Sequence, residues 1–227
     1  MAQPTGTTPL THELWAGIEG TYAAILDHPF VTGLTDGSLP REAFLFYVVQ
    51  DAHYLRDYAR ALSVASARAP REDDIRMFAE HAAGAIVVER SLHEGFFGEL
   101  GLTEEDVART PLAPTTLAYT SYLLATAYGG SFPELLGAVL PCYWIYREVG
   151  TALLADGSPD PLYQRWIDTY GGEEFAEVMR AVLALVDRLG PELSGAERER
   201  MAAHFRATAR YEWMFWDMGL RREAWAV

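Results

Sequence analysis

Apolar positions along the chain recur at intervals of three and four over long stretches, and the two-residue alternation of strands is nearly absent. Short clusters of glycine, proline and small residues interrupt this rhythm: Ser38-Leu39-Pro40, Ala69-Pro70, Gly129-Gly130-Ser131, Asp156-Gly157-Ser158-Pro159, Gly171-Gly172 and Gly190-Pro191. The segments between them predict roughly eight helices, over about 10–27, 40–67, 71–99, 103–109, 114–128, 131–155, 160–168 and 172–190, and then a last long one from about 194 to 220. Ser194 and Glu197 form a capping-box pair at the start of that last helix. The expected fold class is therefore all-α, a bundle of long helices forming one domain over residues 1–227.

Three of these helices carry a residue that does not belong on an apolar face. In the helix from Pro40, the stripe Phe44, Tyr47, Val48, Leu55, Tyr58 and Leu62 includes Asp51, with Tyr54 beside it. In the last helix, Phe205, Ala209, Phe215, Trp216 and Gly219 line one face and Glu212 sits in its middle. A carboxylate on such a face is costly to bury unpaired. The structural explanation is an arginine or helix N–H partner, with Arg206 and Arg210 at hand for Glu212. The functional one is a desolvated acid whose pKa rises toward neutrality and which can act as general acid or base. Two such acids on two helices favour the second.

The third helix has Leu135, Ala138, Val139, Ile145, Tyr146, Val149 and Leu153 on its stripe, together with Cys142. A buried cysteine usually packs as a small hydrophobe. Here Pro141, which lacks an N–H, is expected to bend the helix beside the sulfur, and Tyr143, Trp144 and Tyr146 crowd it. That environment suits a flat aromatic ligand. Tyr119, Tyr170 and Phe215 recur at the same depth, and buried tyrosines need hydroxyl partners, so a polar cavity is implied.

Composition narrows the chemistry. Of the 227 residues 50% are hydrophobic, which supports a sizeable core. The net charge of −14 repels phosphate backbones and acidic lipid surfaces, so neither nucleic acid nor membrane is an expected partner. All 18 basic residues are arginines, which excludes a lysine Schiff base, a pyridoxal-phosphate aldimine and a P-loop lysine. With one cysteine, no disulfide within the chain can form, as expected for a reducing, cytoplasmic setting. Met1 to Thr8 lack a basic region followed by an apolar one, so no secretory signal is expected. Glu89 and His93 are one turn apart and offer a metal pair, and His12 could serve as an axial haem ligand. The paired Glu-x-x-His motifs of di-iron bundles are missing, and the expectation is no metal and no cofactor.

Four longer motifs now matter together. Gln50-Asp51-Ala52-His53-Tyr54-Leu55, Leu140-Pro141-Cys142-Tyr143-Trp144-Ile145-Tyr146, Trp166-Ile167-Asp168-Thr169-Tyr170-Gly171-Gly172 and Tyr211-Glu212-Trp213-Met214-Phe215-Trp216 resemble, in order and spacing, those of the TenA (thiaminase II) family. The resemblance implies a haem-oxygenase-like helical bundle without haem, typically a homotetramer. It also implies hydrolysis of 4-amino-5-aminomethyl-2-methylpyrimidine to the hydroxymethyl pyrimidine and ammonia in thiamin salvage, and in many members cleavage of thiamin. Residue by residue, Cys142 resembles the family nucleophile, and Asp51 the carboxylate that binds the amino group and ring nitrogen. Glu212 resembles the proton shuttle and Tyr170 its hydrogen-bonding partner. Tyr54, Tyr119, Tyr146 and Phe215 resemble the residues that stack on or hydrogen-bond to the ring. Two rival readings remain open: a protein that holds a pyrimidine without turnover, and a metal- or haem-dependent oxidase on the same scaffold.

Overall fold

The computed structural model describes residues 8–92, 101 and 103–227. Among them there is no strand, and eleven α-helices follow one another: α1 (Leu10–Ala16), α2 (Glu19–Leu26), α3 (Pro29–Asp36), α4 (Arg41–Arg68), α5 (Glu72–Leu92), α6 (Glu104–Arg109), α7 (Pro114–Gly129), α8 (Phe132–Leu154), α9 (Pro161–Gly171), α10 (Glu173–Leu189) and α11 (Gly195–Arg221). A 3-10 turn, Gly190–Glu192, joins the last two. No helix of the described residues is long and apolar enough to cross a membrane.

The helix starts follow the capping chemistry of the sequence. Ser194 accepts from the Glu197 amide while Glu197 reaches back to the Ser194 amide, and Ser131 with Glu134 does the same for α8. Two departures from the expected pattern fall near the start of the chain. The segment expected as one helix over 10–27 is two, because Gly17 is a poor helix former and Ile18 leaves helical geometry (φ −128°, ψ 3°) to bury its side chain. A further helix, α3, follows at once. His28 Nδ1 caps its Phe30 amide at 3.1 Å, Pro29 occupies its first position, and Gly37 ends it in the left-handed region at φ 75°. The helix expected over 71–99 begins at Glu72 and is described to Leu92; residues 93–99, and with them the Glu89–His93 pair, lie outside the described side chains. The helix expected to stop at 168 runs on to Gly171, which carries Tyr170 into its last turn.

The core is organised around α8. Every residue from Leu135 to Pro141 is buried, so this stretch is covered on all sides. It packs most extensively along α11, next along α9, and also against α4, α7 and α10. Helix α4 links α5 on one flank with α7 and α11 on the other. The helix continues through Pro141 despite its missing N–H.

Two glycines set how closely α8 meets its neighbours. A Cβ on Gly137 would stand 2.3 Å from the Met201 carbonyl oxygen of α11, and one on Gly150 would stand 2.5 Å from the Tyr170 carbonyl carbon and the Gly171 nitrogen of α9. These are backbone atoms that cannot swing aside. On the outside, Arg188 of α10 grips both oxygens of the buried Asp74 of α5 at 2.7 and 2.6 Å.

Gly150→Ala is accordingly expected to destabilise the fold by about 1–3 kcal/mol through overpacking, a loss of roughly 2–4 °C in Tm per kcal/mol. Gly84 lies in the middle of α5, and a Cβ added there would meet nothing within 4 Å, so Gly84→Ala is expected to raise stability by up to about 1 kcal/mol. Thermal melts of the two variants check the opposite signs.

Candidate active site

Five helices bring chemistry-bearing side chains to one centre in the bundle. Helix α4 supplies Tyr47, Asp51, Tyr54 and Tyr58 at successive helical turns, and α7 supplies Tyr119. Cys142 and Tyr146 come from α8, one turn apart; Trp166 and Tyr170 come from α9; Glu212, Phe215 and Trp216 come from α11. All are buried except Cys142, which is half-buried. Asp51 keeps 5% and Glu212 1% of its surface exposed.

The frame that holds these groups is itself buried polar structure. Gln50, next to Asp51, donates to the Pro111 carbonyl at 3.0 Å and accepts from the Ala113 amide at 2.9 Å. It thereby ties α4 to the start of α7 and fixes where Tyr119 enters. Arg147 of α8 donates to the carbonyls of Gly171, Gly172 (3.0 Å) and Tyr170 (3.4 Å). These bonds satisfy the C-terminal carbonyls of α9 and hold Tyr170 in place.

Glu212 has a specific partner. Tyr119 donates its hydroxyl to the Glu212 carboxyl at 2.6 Å. Burial lifts that carboxyl from its ordinary 4.5 to about 8; the Tyr119 hydrogen bond pulls it down and the Asp51 charge adds to the rise. The arginines that could have neutralised it do not. Arg206 is engaged with Glu199 at 2.6 Å, and Arg210 is exposed. Tyr170, expected from the resemblance as the partner of Glu212, has its ring against Trp166 and Tyr146, with centroids 4.7 and 4.8 Å apart. Its hydroxyl feels the charges of Asp51, Cys142 and Glu212.

Burial also pushes the Cys142 thiol well above its ordinary 9.0, and the charges of Glu212 and Asp51 reinforce this. The nearby Tyr54 and Tyr58 hydroxyls work in the opposite direction. The thiol therefore holds its proton at neutral pH. Tyr47, Tyr54, Tyr119, Tyr146 and Tyr170 are likewise held neutral by burial.

The walls are aromatic. Tyr47 stacks on Trp216 at 5.3 Å and 11°, and its hydroxyl meets that of Tyr146 at 3.1 Å. Phe215 packs against Tyr54 at 5.5 Å and Tyr47 at 5.7 Å, and Tyr54 against Tyr119 at 4.9 Å. Tyr119 is backed by Tyr211, stacked at 5.0 Å and 8°. Among the described residues three buried side-chain atoms meet no hydrogen-bond partner: the Tyr54 hydroxyl and the indole nitrogens of Trp166 and Trp216. Buried donors are rarely left so, and these three belong to the wall of this centre.

All eight residues singled out in the sequence meet here. Tyr47, Tyr58, Trp166 and Trp216 join them, although sequence reasoning assigns these four to the core or to the flanks of motifs. Tyrosine hydroxyls repeating at helical spacing beside Asp51 are the signal that points to the first two. No group of three or more metal-binding side chains occurs among the described residues, and His12 lies exposed on α1.

Comparison with known proteins places the chain. Residues 15–222 match the model of the TENA/THI-4/PQQC family. The aminopyrimidine aminohydrolase of Bacillus subtilis is 38% identical over 88% of this chain and 84% of its own. A solved structure described as a TenA family transcription regulator from Silicibacter superposes with a TM-score of 0.86 at 32% identity, covering 97% of this chain and 99% of that one. A domain of unknown function from Shewanella denitrificans, described as having a heme oxygenase-like fold, superposes at 0.74 over 93% of this chain and 92% of its own with 15% identity, a likeness of fold alone.

The raised Glu212 carboxyl has a stability signature. The unfolded glutamate ionises near 4.5 and the folded one near 8. Between those values the native state binds more protons, so folding stability contributed at this site is lost as pH rises, and the full penalty applies above about 8. Glu212→Gln keeps an acceptor for Tyr119 and removes the penalty. Its Tm relative to wild type is expected to climb steadily from pH 5 to pH 8, by an amount on the order of several kcal/mol in stability. Parallel melting profiles across that range would contradict the assignment.

Proposed function

The chain belongs to the TENA/THI-4/PQQC family, and from that premise we propose that it is an aminopyrimidine aminohydrolase acting at the five-helix centre. Its substrate in this reading is 4-amino-5-aminomethyl-2-methylpyrimidine, released as the hydroxymethyl pyrimidine and ammonia, with thiamin cleaved at the same methylene carbon. The observation that carries the reading is Glu212: a carboxylic acid held near pKa 8, hydrogen-bonded by Tyr119, beside a thiol and a second carboxylate.

Each group then has one task. An amine on a methylene leaves poorly. Cys142 sulfur bonds to a ring carbon as its proton passes to a ring nitrogen, which takes up the displaced ring electron pair, so aromaticity is lost. The returning pair expels the amine, whose nitrogen takes the Glu212 proton. Water adds to the exposed methylene and gives its proton to the Glu212 carboxylate. The C–S bond then breaks, the ring regains its aromaticity and the thiol its proton. Asp51 accepts from the amino group and ring nitrogen and favours the protonated ring, which draws electrons inward. Tyr54, Tyr119, Tyr146 and Phe215 flank the flat ring, and the unpartnered Tyr54 hydroxyl is a donor for a ring nitrogen. Tyr170, near Asp51, steers the amino edge.

A protein that only sequestered a pyrimidine would need the aromatic walls and Asp51. It would have no use for a proton-bearing glutamic acid next to a thiol, which favours turnover.

Ammonia release from the aminomethyl pyrimidine tests this. Cys142→Ser is expected to nearly abolish turnover at unchanged Tm and with ligand binding retained. Glu212→Gln should cut kcat on the order of a hundredfold, and Asp51→Asn should cost at least about tenfold in kcat/KM, roughly 1.4 kcal/mol. Wild-type rates in the folded Cys142→Ser protein would leave a pyrimidine-binding bundle without a nucleophile.

A further inference from the structure

Four hydrogen bonds cross in order between α7 and the last helix. The Thr115 amide donates to the Glu223 carboxyl, just past the end of α11, at 2.8 Å, and the Thr116 hydroxyl donates to the Met218 sulfur at 3.1 Å. Tyr119 donates to Glu212 at 2.6 Å, and the Tyr122 hydroxyl meets His204 Nδ1 at 2.7 Å. Residue numbers rise along α7 as those of the partners fall, so the two helices lie antiparallel and the Tyr119–Glu212 bond is bracketed on both sides. It is the one of the four that reaches a group of the proposed reaction.

The outer bond, Tyr122 to His204, is built into its surroundings. Tyr122 follows Tyr119 by one helical turn, and His204 precedes Glu212 by about two. Tyr211, the chain neighbour of Glu212, stacks on Tyr119 at 5.0 Å and 8° and meets Tyr122 at 5.7 Å, so one ring touches both tyrosines. His204 is held from its other side as well. Its Nε2 lies 3.7 Å from the Glu134 carboxyl, which also caps the start of α8 with Ser131 and meets Arg200 at 3.4 Å. A proton on Nε2 faces that carboxyl, which leaves Nδ1 to accept from Tyr122.

We propose that Tyr122 and His204 are positioning residues for the acid of the reaction: their bond fixes the register of α7 on α11 that brings the Tyr119 hydroxyl to the Glu212 carboxyl. This rests on the reading of Glu212 as the proton donor to the departing amine. Neither residue touches the substrate in this scheme; both act through Tyr119. The tolerance is small, because a hydroxyl bond is good only over about 2.5–3.0 Å and weakens steeply as its angle closes. Without the outer bond, Tyr119 is bracketed by hydrogen bonds from one side only. The Tyr119 bond pulls the Glu212 carboxyl down by favouring its charged form. Loosening that bond therefore raises the pH at which Glu212 loses its proton, and it leaves the acid less well aimed at the amine.

The test reads the Glu212 proton directly. Tyr122→Phe keeps the ring against Tyr211 and removes the hydroxyl. Infrared titration of this variant is expected to place the Glu212 midpoint above the wild-type value of about 8, by roughly half a pH unit or more. His204→Leu should do the same, and it carries the test if Tyr122→Phe does not fold. In ammonia release both variants should lose about threefold or more in kcat, with KM within about twofold. In a Tyr119→Phe background, where the midpoint is already raised, adding Tyr122→Phe should move it no further. An unmoved midpoint or a wild-type kcat in either folded variant overturns the proposal, since the bond would then only hold two helices together. A further rise in the Tyr119→Phe background overturns it too, because the effect would not pass through Tyr119. Wild-type turnover in Glu212→Gln would overturn the acid reading itself, whereas an inactive Glu212→Gln alongside an unmoved midpoint in Tyr122→Phe would overturn the positioning role alone.

Discussion

A carboxylic acid, a carboxylate and a thiol cannot share a dry space unless at least one of the acids keeps its proton. Ionising both Asp51 and Glu212 at the same depth would set two negative charges against each other where little water can screen them, at a cost of several kcal/mol. In this protein Glu212 holds the proton, with a carboxyl near pKa 8, and Tyr119 donates the hydrogen bond that orients it. The rest of the site follows from that division. A protonated glutamic acid can give its proton to a departing amine; an aspartate elsewhere in the centre can accept from the amidine-like edge of an aminopyrimidine.

Maintaining this arrangement is the work of the bundle. Helix α8 is covered on all sides through the stretch leading to Cys142, and it can approach α9 and α11 closely because Gly137 and Gly150 present no side chain there. Gln50 and Arg147 use their polar groups on backbone atoms and so lock the entry of α7 and the exit of α9. Stacked pairs such as Tyr47 on Trp216 and Tyr119 on Tyr211 make stiff walls. Water is kept out by the same rings that would flank a substrate, so fold stability and the raised Glu212 pKa have one source. The unpartnered Trp166 and Trp216 indoles mark where that packing leaves polar groups unsatisfied.

Much of this was legible in the chain. Asp51, Glu212 and Cys142 each interrupt an apolar stripe at helical spacing, and helices repeat so regularly that an interruption is visible without coordinates. The family motifs then supplied roles for them. What the sequence could not show was which hydroxyl meets which acid. Tyr119 and Tyr170 both face inward, and only the placement of α7 against α11 decides that Tyr119 reaches Glu212. The break at Gly17 and Ile18 was likewise hidden, since it reflects a tertiary demand to bury Ile18 in place of any strong local stop signal. Helix α3 did carry signals, with Pro29 at its start and Gly37 after its end, but at eight residues it was too short for periodicity to reveal.

Glu212 carries its proton at neutral pH because it is buried, and the Asp51 charge adds to the effect. Infrared difference spectroscopy of wild type against Glu212→Gln reads this directly through the carbonyl stretch of the protonated acid. A carboxylic acid band present at pH 7, disappearing with a midpoint near 8 and moving to lower pH in an Asp51→Asn background, is the result expected. A Glu212 already ionised at pH 6, with no response to Asp51→Asn, would contradict it.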